Sequence, residues 1–510
     1  MSIHWPILKQ LLRHARKPVI VDDQRTLKAA DILVAALHTA SAIEAAGGSR
    51  TVGVLLPTGG AFPIAALACW MLGRVLVPLN YLLKPEELRF VVEDCGTDVI
   101  VTAGPMLDYI RGAHAAGAPT GPDAPDHPWL PDGVRLVRLE QLAFRSMPDL
   151  RWPAAANDDD LGVLLYTSGT SGKPKGVMLT HGNIRANIEQ TVEAIGVDDR
   201  EVLLGVLPQF HSFGLTVLTL LPLSLGAKAV YTARFIPGKL LRLIREHRPT
   251  ILVAIPSMYN ALLHSRDAQA EDFSSFRLVV SGGEPLPRFV ADEFRKRFGV
   301  TITEGYGLTE TSPVSNICLP SEHRPGSVGR PVPRMLQRIV NVETGSDLPP
   351  NADGEVRMKG PNVMRGYFNR PEETAAAFDA DGWFRTGDIG RFDDDGHLHI
   401  TGRLKEMLIV GGENVFPREI EEVLNAHPSV KDSGVVGKAD PIRGELPIAF
   451  VELVEDAEGR RPAFNEKELL AWCRTRLAGY KVPDEIRPVE ALPRNPTGKV
   501  MRRELKKIVS

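Results

Sequence analysis

The sequence predicts an α/β protein with a large N-terminal domain of layered β-sheets and helices and a small α+β C-terminal domain. Three observations carry this reading. Short aliphatic runs recur, each followed by Gly, Pro or Ser and then by a helical pattern: "TVGVLLP" (51–57), "DVIVTAG" (98–104), "ILVAIPS" (251–257) and "FRLVVSGGEPLP" (276–287). Continuous apolar runs of that length suit strands buried on both faces, and their alternation with helices suits a layered core. The texture changes near Gly354, where "GEVRMKGP", "GWFRTGDIGRF" and "GHLHITGR" read as antiparallel strands and "DDDG" (393–396) supplies an Asp-Gly hairpin turn. After Arg403 a last segment carries helix signals of its own. Pro417 opens a helix with Ile420, Val423 and Leu424 on one face and Pro428 beyond its end, and Asn465 with Glu468 forms a capping-box variant before Leu469 and Leu470. The division therefore falls at 1–402 and 403–510.

Length and composition bound the rest. At 510 residues the chain exceeds what one hydrophobic core supports. A formal net charge of −3, with no Lys/Arg-rich block, argues against a nucleic-acid surface. Cys69, Cys95, Cys318 and Cys473 lie far apart with no C-x-x-C, a reduced, cytoplasmic pattern without a zinc site or disulfide framework. The N-terminus mixes charge into a helical apolar pattern and lacks the uninterrupted apolar core of a signal peptide. From Val202 to Ala227 only His211 is able to carry charge, but Pro208, Gln209, His211 and Pro222 interrupt the run. It reads as buried core or the wall of an apolar pocket rather than a membrane span. Residues 104–133, rich in Ala, Gly, Pro and Asp, read as a surface excursion. The "DDDG" turn is no EF-hand, because its first and twelfth positions would be Arg391 and Gly402.

One stretch asks for a ligand. "YTSGTSGKPKGV" (166–177) follows an apolar strand and reads as a loop between a strand and a helix. Thr167, Ser168, Thr170 and Ser171 offer hydroxyls, Lys173 and Lys175 offer charge, and Gly169, Gly172 and Gly176 let the backbone approach an anion closely. Its glycines are too close together for a Walker A loop. The stretch strongly resembles the phosphate-loop signature of the acyl-adenylate-forming superfamily, which includes the AMP-forming acyl-CoA synthetases, the adenylation domains of peptide synthetases and the beetle luciferases. Further matches follow in family order over most of the chain: "PQFHSFG" (208–214), "SGGEPLP" (281–287), "EGYGLTET" (304–311), "GWFRTGD" (382–388), "GRLKEMLIVGGENVFPREIE" (402–421) and "PRNPTGKV" (493–500).

The resemblance implies a two-step ligase. A carboxylic acid attacks the α-phosphate of ATP, releasing pyrophosphate and leaving an acyl-adenylate, and a thiol then takes the acyl group. Two anions must meet in the first step, so positive charge and oriented donors must converge there. By resemblance, the loop 167–175 cradles the β- and γ-phosphates, with Mg²⁺ held by Glu310 and Thr167. Tyr306 stacks on adenine, Thr309 bonds the α-phosphate, and Gly282, Gly283, Glu284 and Gly307 lie against adenine and the acyl group. Asp388 accepts from both ribose hydroxyls, which its chemistry permits because a carboxylate only accepts, and Arg403 also reaches the ribose. Lys499 is the catalytic cation between carboxylate and α-phosphate. It lies on the small domain, which must then be mobile. Lys405 is the hinge position, and after rotation Gly411, Gly412 and Glu413 line a pantetheine tunnel.

The acid itself is less legible. Acetate-specific relatives close the pocket with a Trp where this chain has Gly307, so a larger acid is expected. The uncharged wall around His211 and Phe213, with His211 as a gate, points to a medium- or long-chain fatty acid; an aryl or other apolar acid is the alternative. CoA is the expected acceptor. A carrier-protein pantetheine acting in trans is the alternative, since no carrier domain follows Ser510. A non-catalytic nucleotide-binding regulator is disfavoured by the joint presence of Thr309, Glu310, Asp388 and Lys499, and a luciferase cannot be read from these motifs. Expected partners are thus the acid, ATP and CoA, without nucleic acid or a transmembrane span. Peripheral membrane contact, and a monomer as against a homodimer, stay open.

Overall fold

The computed structural model describes residues 2–113, 129–168, 173–455, 461–494 and 500–509. Among these, four sheets form. The first runs in the order Arg330–Pro331, Val314–Ile317, Thr303–Gly307, Leu278–Ser281, Ile251–Ala254, Val202–Gly205, Lys228–Tyr231, Pro18–Val21 and Thr26–Lys28. From Thr303–Gly307 to Pro18–Val21 neighbouring strands are parallel. Every residue of Ile251–Ala254 and Leu278–Ser281 is buried, as aliphatic strands covered on both faces must be. The second sheet has parallel strands Leu161–Ser168, Val75–Pro78, Thr51–Leu55, Val99–Thr102 and Arg135–Arg138, extended past Leu161–Ser168 by Pro174–Thr180 and Gly366–Tyr367, each antiparallel to its neighbour. One contiguous apolar core joins both sheets, with Val54 and Leu76 from one and Leu204 and Leu252 from the other. The helix Ala61–Met71 is buried in all but its first residue, as a helix apolar on every side must be.

Leu336–Val340, Gly354–Lys359, Phe384–Phe392 and Leu398–Arg403 make the third sheet, all antiparallel. The Asp-Gly turn lies where expected: Asp393 N–H bonds to His397 O at 2.9 Å and Gly396 has φ of 78°. Beyond Arg403 a smaller sheet builds around Val430–Asp440 and Gly444–Leu453, with a separate core that includes Val410, Ile420, Leu424, Val451 and Leu469. Both helix signals hold. Pro417–Asn425 buries Ile420 and Leu424, and Asn465 Oδ1 accepts from the Glu468 N–H at 3.3 Å to cap Glu466–Arg474.

Two expectations are corrected. The stretch 104–133 is not all excursion: Gly104–Ala113 is a helix whose Met106, Leu107 and Ile110 are buried. "PKGVMLT" is a strand rather than the start of a helix, because Val177 and Leu179 bury against the core while the helix His181–Ile195 begins only after it. The stretch expected to bind phosphate therefore lies between two antiparallel strands, and no helix N-terminus follows it directly. The run 202–227 is mostly buried, as expected, with His211 its only exposed residue. Among the described residues one helix, Ala29–Ala46, is long and apolar enough to cross a membrane, but it buries Ile32, Ala36, Leu37, Ala40 and Ile43 in the core.

Candidate functional site

A cavity of about 1480 Å³ opens where the parallel strands of the first sheet end. Pro208, Ile255, Gly283 and Leu308, each just past a strand's last residue or within a few positions of it, line it. Ligand sites of open α/β sheets form at such carboxyl ends. The volume exceeds the few hundred to about 1,000 Å³ of ordinary small-molecule sites, so one substrate alone would leave much of it empty.

One end is polar. The strand Thr303–Gly307 runs into a tight turn that returns as Val314–Ile317. Leu308 N–H and the Thr311 hydroxyl both donate to Pro313 O, at 3.2 and 2.8 Å, and Asn362 Nδ2 donates to Thr311 O at 2.7 Å. This bracing presents Thr309 and Glu310 to the cavity. Glu310 accepts from Tyr367 Oη at 2.9 Å, and the Met364 N–H bonds its carbonyl at 2.7 Å. Burial raises the Glu310 carboxyl above its ordinary range.

Asp388 and Arg403 are far apart in motif terms but directly opposite in the third sheet, where register pairs them. Arg403 Nε lies 2.8 Å from Asp388 Oδ1, and Tyr306 Oη donates to Asp388 Oδ2 at 2.5 Å. Asp388 is only 2% exposed, and its charge lifts the Arg403 guanidinium further above its already high value. Two residues before Tyr306 on the same strand, Glu304 is pushed up to about 7 by burial, which outweighs the Leu286 N–H bond and the charge of Arg418.

The phosphate hairpin pairs Thr167 with Lys175 across its strands, and both line the cavity. Lys175 is ion-paired with Glu373 and stands 5.4 Å above the Tyr367 ring. Lys173 sits 5.3 Å over Phe90. Ser168 ends the first strand. Gly169, Thr170, Ser171 and Gly172 lie outside the described residues, as does Lys499. Gly283, with φ of 84°, and Glu284 line the cavity. Gly282 stands behind them, where a Cβ would come within 2.7 Å of the Phe213 ring.

The other end is apolar. Ile195, Leu203, Val217, Leu221, Val253 and Leu278 form its wall. His211 caps a short helical turn, its Nδ1 accepting from the Phe213 N–H at 3.4 Å, and its exposed face is turned to the cavity, where desolvation by the surrounding protein lowers its pKa. Gly307 lines the cavity with backbone only. A side chain there would collide with the carbonyl oxygen of Pro313, so the expectation that this position regulates pocket size is corrected: the hairpin's close backbone approach already requires glycine.

Lys405 lies in the short turn Leu404–Glu406 after the last strand of the third sheet and lines the cavity. Gly411, Gly412 and Glu413 are exposed in a tight turn, with positive φ at both glycines, and are not part of the lining. Sequence reasoning missed Tyr367, Glu373, Glu355 and Arg234, all in the wall. Only Tyr367 and Glu373 carried a signal, as part of the polar run "GYFNRPEET" between the matched motifs.

The donors suit a hard cation bound with a polyphosphate. Glu310, Thr167 and Thr309 offer oxygen only, and no cluster of three or more His, Cys, Asp or Glu exists among the described residues. Mg²⁺ takes few protein carboxylates and fills its shell from phosphates and water.

A model of the AMP-binding enzyme family matches residues 8–368, and one of the AMP-binding enzyme C-terminal domain matches residues 419–499. The long-chain-fatty-acid–CoA ligase of Bacillus subtilis (strain 168) is 35% identical over 93% of this chain and 89% of its own length. Feruloyl-CoA synthase of Amycolatopsis sp is 35% identical over 92% and 91%. The ATP-bound crystal structure of MatB from Rhodopseudomonas palustris superposes with a TM-score of 0.86, at 30% identity, covering 100% of this chain and 99% of that one; the apo form gives 0.78. O-succinylbenzoate CoA synthetase of Bacillus subtilis, in complex with ATP and magnesium ion, gives 0.84 at 29% identity, covering 98% and 99%.

Proposed function

The chain belongs to the AMP-binding enzyme family and is an AMP-forming acid–CoA ligase using ATP, Mg²⁺ and CoA; within that activity we propose that its acid is a medium- or long-chain fatty acid. The observation that carries this is the composition of the cavity's second end. Six aliphatic side chains from three strands and three helical segments line it, and the only titratable group the sequence run 202–227 places beside them is the His211 ring. Burying an alkyl chain there would gain about 0.8 kcal/mol per methylene. The reading is also supported by the fatty-acid ligase among the relatives. An aryl acid is the second reading, supported by the feruloyl-CoA synthase at equal identity. Pyrophosphate release across acids of graded chain length and cinnamic-type acids, with and without CoA, separates them. Activity that climbs with chain length supports the first reading, and a maximum at aryl acids overturns it.

The polar end supports the following roles. Asp388 already accepts from Tyr306 and Arg403, yet a carboxylate offers about four acceptor sites, which leaves room for ribose hydroxyls. Thr309 faces the α-phosphate, Thr167, Ser168, Lys173 and Lys175 face the outer phosphates, and Lys499 supplies the charge that lets carboxylate and phosphate meet. Mg²⁺, held through Glu310 and Thr167, would offset the charge of the phosphate oxygens. With a domain division at 402/403, Lys405 would serve as the hinge. Rotation there would carry Lys499 out and bring Gly411, Gly412 and Glu413 to the acceptor thiol.

A further inference from the structure

Between the matched motifs, the segment from Gly360 to Ala377 ties the phosphate hairpin to Glu310. Gly366 and Tyr367 pair with Met178 and Val177 of the hairpin's second strand, while the Met364 N–H bonds Glu310 O. Thr374 Oγ1 accepts from the Tyr367 N–H at 2.9 Å and donates to Arg370 O at 2.8 Å, fixing the helix Pro371–Ala376 against that strand. The helix delivers Glu373 to the cavity wall. The Oε2 atom of Glu373 is buried and ion-paired with Lys175, and Oε1 lies 3.8 Å from Arg370 Nε. Tyr367 completes the connection, its ring below Lys175 Nζ and its hydroxyl on Glu310.

An anion is thus already seated on the lysine assigned to the outer phosphates. We propose that Glu373 is a positioning residue that occupies the polyphosphate's place on Lys175 until nucleotide arrives, and that Tyr367 couples this exchange to Glu310. The inference rests on the assignment of Lys175 and Glu310 to the phosphates and Mg²⁺. Two physical consequences follow. Lys175 is held at the cavity wall in the free enzyme, where an unpaired lysine would sample many rotamers. Binding must also break a partly buried ion pair, so Glu373 lowers affinity for ATP and speeds loss of pyrophosphate. The helix that carries Glu373 contributes Ala376 and Ala377 to the same wall, so the displaced carboxylate remains beside the site and can reclaim Lys175.

The test is equilibrium binding, by calorimetry on the full chain, of an α,β-methylene ATP analogue and of pyrophosphate at fixed Mg²⁺. Glu373→Gln is expected to tighten both by roughly five- to ten-fold at low salt, with the gain shrinking as ionic strength rises. In a Lys175→Met background the same substitution is expected to have less than a two-fold effect, because the two side chains act on one contact. Tyr367→Phe is expected to raise the Mg²⁺ concentration needed for half-maximal analogue binding by about three-fold, leaving metal-free binding unchanged. If Lys175→Met alone does not weaken binding, the phosphate assignment fails. If it does weaken binding while Glu373→Gln leaves affinity unchanged or reduced, or acts equally with and without Lys175, the phosphate assignment stands and the placeholder role is overturned.

Discussion

The two ends of the cavity are built in opposite ways. The polar end depends on a few atoms held by backbone: Thr309 and Glu310 on a turn braced at Pro313 and Asn362, and Asp388 opposite Arg403 by strand register. The apolar end is an area, assembled from side chains of many elements with no single contact in charge. Preorganised charge acts steeply, because one misplaced donor leaves a developing charge unmatched, whereas apolar area acts in proportion to its size. Substitutions at the two ends are therefore expected to differ in kind, a step at one and a slope at the other.

The largest step is expected at Lys499. Lys499→Ala should lower adenylate formation from acid and ATP by on the order of 10²–10³, while thioester formation from supplied acyl-adenylate and CoA is largely kept. The two half-reactions, assayed separately, check this; damage confined to the CoA step would mean that the small domain does not alternate as proposed.

Next is Glu304, buried on the strand that carries Tyr306 but outside the cavity lining. Its carboxyl is raised from the usual 4.5 to about 7 by burial, so the folded state favours the protonated form. Stability from this group is fully present below pH 4.5 and is lost as pH rises to 7, about 3 kcal/mol in all. Glu304→Gln mimics the neutral form and should flatten the fall in melting temperature between pH 5 and pH 8. An unchanged pH slope would show that Glu304 is solvated.

The apolar end is expected to respond by degrees. Val280→Phe fills part of the wall and should lower kcat/KM for long acids by about 10–100-fold, the value of two to three buried methylenes, while short acids are spared. Equal loss for every chain length would place the acyl group elsewhere. Gly307→Trp cannot serve as this test, since its side chain would disrupt the hairpin that carries Thr309 and Glu310.

The smallest change is expected from Tyr306→Phe. It removes one hydrogen bond to a buried carboxylate that keeps its Arg403 partner, for about 1.5 kcal/mol of stability. KM for ATP should rise a few-fold with adenine stacking retained. A melting temperature equal to the parent's would show that ordered water replaces the hydroxyl.

Sequence alone determined the local elements and the chemistry of single residues. The aliphatic runs 51–57 and 251–257 contain the buried strands Thr51–Leu55 and Ile251–Ala254 because such runs have nowhere else to hide apolar surface, and Pro417 and Asn465 start helices through effects confined to one turn. Motif order likewise identified Thr309, Glu310, Asp388 and Arg403 as neighbours in chemistry. Tertiary structure decided what no local pattern encodes. Register set Asp388 against Arg403, and a second strand rather than a helix followed the phosphate loop because Val177 and Leu179 had a core to enter. The pairing of Gly366–Tyr367 with that strand brought Glu373 to Lys175 across 198 residues of chain. Likewise, the glycine at 307 reflects the approach of Pro313, not the size of an acid. Contacts of this kind depend on which strands pair and how closely backbones approach. Those are settled by the packing of the whole core, and a residue's own neighbours in sequence carry no trace of them.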